Sequence, residues 1–489
     1  MAMTARPRRG GATTIAAAAA AALLLACSPS PVASQATCPN ALTPSYASPV
    51  LGAGWTAQLV ARGLSDPRGI VLDSSGGLLV VEQGRGIRRI TFKEDGNGAC
   101  FGVDKNQTVV DLKELNHGIE LSDDGKTLYA SSADSVYSWE YDAGQGAAKA
   151  DSRRTLISGM ASQGHTSRTI LMSRKTKGTL LVSRGSASNM DADARDRGSG
   201  VSQIRAFDLS SPPTDGGRAR AFRYASEGRL VGWGLRNSVG VAEHPGAAGG
   251  VYSVENSADD VRRMGADVHR DNPGEEMNFH GPVSSPAGAN HGYPDCLALW
   301  DTNVPQGSGM RTGAQFALGG EGSNVTDAAC AGSNFAAPRL TFQAHTAPLD
   351  LKFSADGAEA YVSFHGSWNR DDPVGYKISM IRFANGEPTE PADSRSSTVD
   401  IMSNPDLSAC PGRCFRPVGL AMDQRGRMFM SSDSTGEIYL LRKSEMAATD
   451  TGKAGGNNGG ASSAGHLVMP SLLGSVCLML FFLHAGSRW

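Results

Sequence analysis

Short apolar runs alternate with polar turns along this chain, without helical spacing between them. Residues 69–73 form one such run, a Ser-Ser-Gly-Gly turn follows, residues 78–81 return, and residues 87–92 carry alternating charges. The same order recurs at residues 118–122, an Asp-Asp-Gly-Lys turn, 127–131 and 136–141. A third copy starts at Thr169 and continues through 179–183 and 203–209. The fourth starts at Gly240, continues through 250–254 and takes 261–264 as its third strand. Two more begin at Asp350 (with 359–363 and 378–383) and at Gly419 (with 428–432 and 437–442). Six strand–turn–strand–strand units predict an all-β, six-bladed β-propeller, because no unit buries both its faces alone and neighbours must stack around a channel. A sandwich of unrelated hairpins is the alternative arrangement. The segment 265–348, between the fourth and fifth units, is too long for a plain loop and is expected to carry structure or function of its own.

Composition agrees with this reading. Sixty glycines suit many tight turns, and only 6% of residues are aromatic. A net charge of −2 across 489 residues gives no basic footprint for nucleic acid. The ends add information about location. Arg6, Arg8 and Arg9 precede an Ala/Leu run, so residues 1–36 read as a secretory signal cut near Ser34 or Ala36. Leu24-Leu25-Ala26-Cys27 also resembles a bacterial lipoprotein box. Residues 444–465 are a Gly/Ser/Asn-rich linker, and 466–489 hold an apolar tail that reads as a glycosylphosphatidylinositol anchor signal, with a single membrane helix as the other reading. Either places residues 38–443 outside the cell, with any membrane contact only through the C-terminal anchor. Asn106 and Asn324 begin glycosylation sequons. Six cysteines lie between the ends and suggest three disulfides in an oxidising compartment; among 15 possible pairings, the local one joins Cys38–Cys100, Cys296–Cys330 and Cys410–Cys414.

In a propeller the loop before each inner strand and the loop after each second strand open on one face. Here those positions hold Arg68, Asn116, His165, Arg236, Asn237, His345 and Arg416, and then Glu255, Asn256 and His365. Arginine, asparagine and histidine gathered around one opening suit an anionic, planar ligand.

Five phrases then occur in order: Gly164-His165-Thr166-Ser167-Arg168, Leu235-Arg236-Asn237-Ser238-Val239-Gly240, Glu255-Asn256-Ser257-Ala258-Asp259-Asp260, Asn290-His291-Gly292-Tyr293-Pro294, and Arg416-Pro417-Val418-Gly419. Together they resemble the glucose/sorbosone dehydrogenase superfamily of soluble quinoproteins, and most closely the fungal pyranose dehydrogenases dependent on pyrroloquinoline quinone (PQQ). The resemblance spans residues 38–443. It implies oxidation of a pyranose sugar at its anomeric carbon, with PQQ held through Ca2+ and electrons passed to an external acceptor, a cytochrome or a quinone. It further implies that His165 is the catalytic base and that Arg236 and Asn237 stand beside the quinone. Arg68, His365 and Arg416 would meet the PQQ carboxylates, Asn116 would be a polar neighbour, and the backbone of Ser257 and Ala258 would bind calcium. Three positions depart from the bacterial pattern: Ser167 stands for a glycine, Ser257-Ala258 for Gly-Pro, and His365 for a lysine. A calcium-dependent lactonase on the same fold, or a non-catalytic surface-binding propeller, are the competing readings.

Overall fold

The computed structural model describes residues 38, 41–95, 100–247, 249–319 and 325–444. The secretory signal, the linker, the anchor tail and the Asn324 sequon lie outside the described residues. Within them no helix is long and apolar enough to cross a membrane.

Six antiparallel sheets form the blades of a propeller. The first is Pro67–Leu72, Leu78–Glu82, Gly86–Glu94 and Phe101–Asp111, and the other five repeat this inner-to-outer order. The sixth blade closes the ring. Its outer strand is not from the C-terminal end but is Trp55–Ala61, paired from Trp55↔Lys443 to Ala61↔Ile438. First and last parts of the chain therefore share one sheet, which leaves no open seam. The expected fold class holds, and each blade gains an outer fourth strand that the repeat pattern did not show.

One unit differs from expectation. Residues 261–264 are not the third strand of blade four; Arg262–Arg263 instead pairs with Ala266–Asp267 in a small hairpin. The third strand is Glu275–Gly281, paired with Val251–Glu255, and Leu340–Phe342 lies outside it. The long segment thus supplies two strands of blade four, and its Ala289–Asn290 adds a short edge to the sheet of blade three. It also carries the pair Cys296–Ala298 and Gln315–Ala317, stapled by the Cys296–Cys330 disulfide. All three disulfides follow the local pairing.

The apolar core is divided among the blade interfaces. Leu79, Val81 and Ile87 of blade one pack on Leu128, Ala130 and Trp139 of blade two, and equivalent clusters fill the other five seams. Inner strands meet closely enough to demand glycine. A Cβ on Gly118 would stand 2.3 Å from the Arg168 carbonyl, and one on Gly419 2.6 Å from the Arg68 carbonyl. Buried serines on the second strands stitch the same seams: Ser131 donates to the Arg168 carbonyl, Ser363 to that of Val418 and Ser431 to that of Arg68. Each such bond contributes about 1 kcal/mol net. Rigid seams of this kind fix the spacing of the loops at the channel mouth.

Candidate active site

Three loop segments are laid side by side at one face. The His165 N–H donates to the Ser186 carbonyl (3.0 Å), and the Ser186 N–H donates to the Arg236 carbonyl (2.8 Å). This ladder carries His165 and Arg236, 71 positions apart in the sequence, to one wall. Gly185 permits the approach, since a Cβ there would fall 2.6 Å from Asn237 Oδ1 and 2.7 Å from His165 Cβ. Arg168 is fully buried behind the loop and donates to the His165, Ser167 and Met160 carbonyls, which fixes the turn from within.

A cavity of about 480 Å³ opens there, and His165, Arg236, Asn237, Ser257, His365 and Arg416 all line it. Six of the nine expected site residues therefore meet around one space. Arg68 does not line it: its Nη1 is paired 2.6 Å from Asp433, whose carboxylate also lies 3.0 Å from His365 Nε2. Arg68 thus supports His365 from behind. Asn116 is also withdrawn, its Nδ2 donating to the Thr166 carbonyl beside His165. The Ala258 side chain is buried with Tyr293 and Leu297, so only its backbone is available to a ligand.

His165 is held as a neutral imidazole. Burial, reinforced by the charge of Arg236, lowers its pKa to about 4. Its Nδ1 lies 2.9 Å from Ser186 Oγ and 3.1 Å from the Ser186 carbonyl. The Ser186 hydroxyl donates onward to the Ser188 carbonyl (2.7 Å), so Nδ1 carries the hydrogen and Nε2 is left as the acceptor. Arg236 is equally fixed. Nε and Nη2 bond the Asn189 carbonyl and Oδ1, Nη2 pairs with Asp259 at 2.8 Å, and Nη1 reaches the Asn256 carbonyl. Four of about five guanidinium N–H groups are used, leaving one Nη1–H for a ligand.

Several wall residues had no role in the sequence reading. Glu275 is buried at the cavity and accepts from the Ser257 N–H (2.7 Å) and the Ala347 N–H (3.2 Å). Burial raises Glu275 and its neighbour Glu276 to about 7 and holds Glu255 well above the ordinary range. His345 stands 3.5 Å from Asp259, and its Nε2 donates to the His269 carbonyl. Burial opposes its charge, but Asp259 and the carbonyl outweigh this and lift its pKa. Asp259 was visible in the Glu255–Asp260 phrase but carried no role; Asn189 and Trp368 lie in loops outside the repeat, Glu275 opens the blade-four strand that the repeat pattern missed, and none of the three gave a signal.

These residues fit the group that the resemblance implies. Among the described residues Arg416 has no carboxylate partner: it donates only to the His365 and Gly366 carbonyls, each at 3.2 Å, and lies 5.6 Å over the Tyr376 ring. Burial presses against its charge, which favours an anion beside it. Calcium needs oxygen ligands. No cluster of three His, Cys, Asp or Glu side chains suits a metal among the described residues. The Ser257 and Ala258 carbonyls, however, accept no hydrogen bond from any described residue, and buried Glu275 sits against the Ser257 N–H. Backbone oxygens above a buried carboxyl suit a hard cation.

Residues 49–444 match the TrAA12-like family model, which spans most of the chain. The chain belongs to this family. Its relatives include the PQQ-dependent sugar dehydrogenase of Hypocrea jecorina, 47% identical over 413 residues that cover 83% of this chain and 92% of that protein. Among TrAA12-like structures, the calcium structure of the Trichoderma reesei family AA12 enzyme superposes with a TM-score of 0.79 at 48% identity, covering 83% of this chain and 99% of that one. The holo form of the pyranose dehydrogenase PQQ domain from Coprinopsis cinerea gives 0.76 at 37% identity, with coverage of 83% and 99%.

Proposed function

We propose that this TrAA12-like chain is a quinoprotein sugar dehydrogenase that oxidises a pyranose at its anomeric carbon with PQQ and calcium. The observation that carries the reading is the neutral His165 ring, fixed through Nδ1 in the wall that also holds Arg236 and the carboxylate-free Arg416. When bound, PQQ would supply the hydride acceptor and calcium would supply Lewis acidity. His165 Nε2 takes the proton of the C1 hydroxyl, so loss of hydride and proton leaves the lactone. Arg236 presents a charge that needs no reorganisation when negative charge develops in the cavity. Arg416 holds an anionic carboxylate, and Arg68, through Asp433, keeps His365 in place. The relatives' dehydrogenase names give no support to the lactonase or surface-binding readings.

Two further elements belong to this proposal. Electrons leave to an external acceptor, a cytochrome or a quinone. The folded part works outside the cell, a placement supported by three disulfides, with anchorage through the C-terminal tail. The test is an absorbance titration of the apoprotein with PQQ, with and without a calcium chelator, followed by reduction of an artificial acceptor on adding a pyranose. Saturable, chelator-sensitive binding with turnover is expected. Lactone hydrolysis without PQQ would overturn the assignment.

A further inference from the structure

Trp368 is the most exposed large hydrophobic residue in the described structure, at 69%, and it stands at the cavity. Apart from Gly164, Ala347 and Gly366, the other residues lining this space are all polar or charged. The loop that carries the indole is nevertheless held in place. The Ser367 N–H donates to the Val374 carbonyl (3.0 Å) and the Val374 N–H to Ser367 Oγ (3.0 Å), which ties the base of the loop. Asn369 Nδ2 reaches Asp259 Oδ1 at 3.5 Å. Arg370, whose side chain is only 5% exposed, donates to the Arg270 carbonyl (3.1 Å) and lies 3.6 Å from Asp271. Both residues after Trp368 are thus anchored, one to the cavity wall and one to the facing loop. An exposed aromatic ring on an anchored loop is a preorganised platform.

The geometry points to Trp368 as the stacking platform for the sugar ring, an assignment that rests on the function proposed above. A pyranose has a rim of hydroxyls and faces of C–H bonds. The polar wall meets the rim, and an indole matches the apolar face while losing unfavourable contact with water. The carboxylates of the cofactor call instead for a cation, and half-buried Arg416, which has no carboxylate partner among the described residues, lines the same cavity, which leaves the exposed indole free for the sugar. Trp368 therefore sets preference by the shape of the sugar's C–H face: an aldopyranose with an unbroken face stacks, and one with an axial hydroxyl projecting from it does not.

The test uses holoenzyme and whichever of D-glucose, D-galactose, D-mannose and D-xylose the wild type turns over fastest, with the methyl glycoside of that sugar as a ligand that is not oxidised. Trp368→Ala should raise KM and the inhibition constant of the glycoside by about tenfold, lower kcat by less than about threefold, and leave the PQQ titration unchanged. Trp368→Phe should recover most of the loss. Unchanged KM and inhibition constant, or a weakened PQQ titration with sugar binding intact, would overturn the platform. A wild-type holoenzyme that oxidises no pyranose would instead overturn the parent reading, so the two failures are distinct.

Discussion

His165 at the channel mouth and the pair His280–His291 in the seam of blades three and four share one property and differ in another. Burial lowers His165 and His291 to about 4 and holds His280 well below the ordinary histidine value. His165, however, lines an open cavity with Nδ1 fixed by Ser186 and Nε2 available. His280 and His291 are sealed, 0% and 1% exposed, with ring centroids 4.7 Å apart. Among the described residues only His280 Nε2 has a protein partner, Ser253 Oγ at 2.8 Å, and the other three ring nitrogens have none. Gly232 presses against the pair, where a Cβ would stand 2.6 Å from His280 Nδ1. A depressed histidine pKa therefore does not by itself mark a base. Access and a fixed tautomer are what convert it into a base at neutral pH.

The widest separation of the two places is expected from removing each ring. His165→Ala should lower kcat by about 10³-fold, the middle of the range for general base loss, with melting temperature and PQQ titration nearly unchanged. Turnover that survives would mean the base is elsewhere. The seam should answer in stability instead. A histidine at about 4 when folded and about 6.5 when unfolded is neutral in both states above pH 6.5. As pH falls from 6.5 to 4 the unfolded chain binds the proton first, so stability is lost across that window, by roughly 3 kcal/mol for His291 alone. Urea unfolding at pH 7 and at pH 4.5 should show His291→Phe with a smaller acid loss than the wild type. Equal losses would mean that His291 does not titrate in the unfolding.

The repeat was legible because its turns carry their own chemistry: Asp73 Oδ1 accepts from the Ser75 and Gly77 N–H groups, and Asp423 does the same for Arg425 and Arg427. Blade four failed at its third strand for a physical reason. Glu275–Gly281 follows a 19-residue detour after Val251–Glu255 and buries Glu275, Glu276, Asn278 and His280, so no apolar run marks it. The site divides in the same way. His165, Arg236 and Arg416 lie in the loops that lead into inner strands and could be read from that position, whereas Asn189 and Trp368 come from loops with no fixed offset and Glu275 opens the strand that the pattern missed. Arg68 keeps the expected offset yet is drawn back by Asp433, a partner more than 360 positions away.

A cation at the mouth sharpens the comparison by a smaller amount. Arg416→Gln removes a guanidinium that lacks a carboxylate partner, so it should loosen PQQ by about tenfold to thirtyfold, the worth of one charge-assisted contact. At saturating PQQ, kcat should stay within a few-fold of the wild type. The absorbance titration reads the first effect and steady-state rates the second; an unchanged affinity would mean that the anion is held by other residues.

The smallest expected effect asks how firmly the His165 tautomer is set. The ring must be neutral to act, so kcat/KM should rise with pH through about 4 and then level, well below the 6.5 of a free histidine. Ser186→Ala removes the acceptor 2.9 Å from Nδ1 but leaves the Ser186 carbonyl at 3.1 Å. Burial and Arg236 set the position of the acid limb, and the variant changes neither, so the limb should stay near pH 4. The plateau should fall by about threefold to fivefold, because one of two bonds orienting the ring is lost along with the hydroxyl's own bond to the Ser188 carbonyl. If the limb instead moves toward 6.5, the serine governs the basicity of the ring, and the sealed pair and the open base owe their low pKa to different causes.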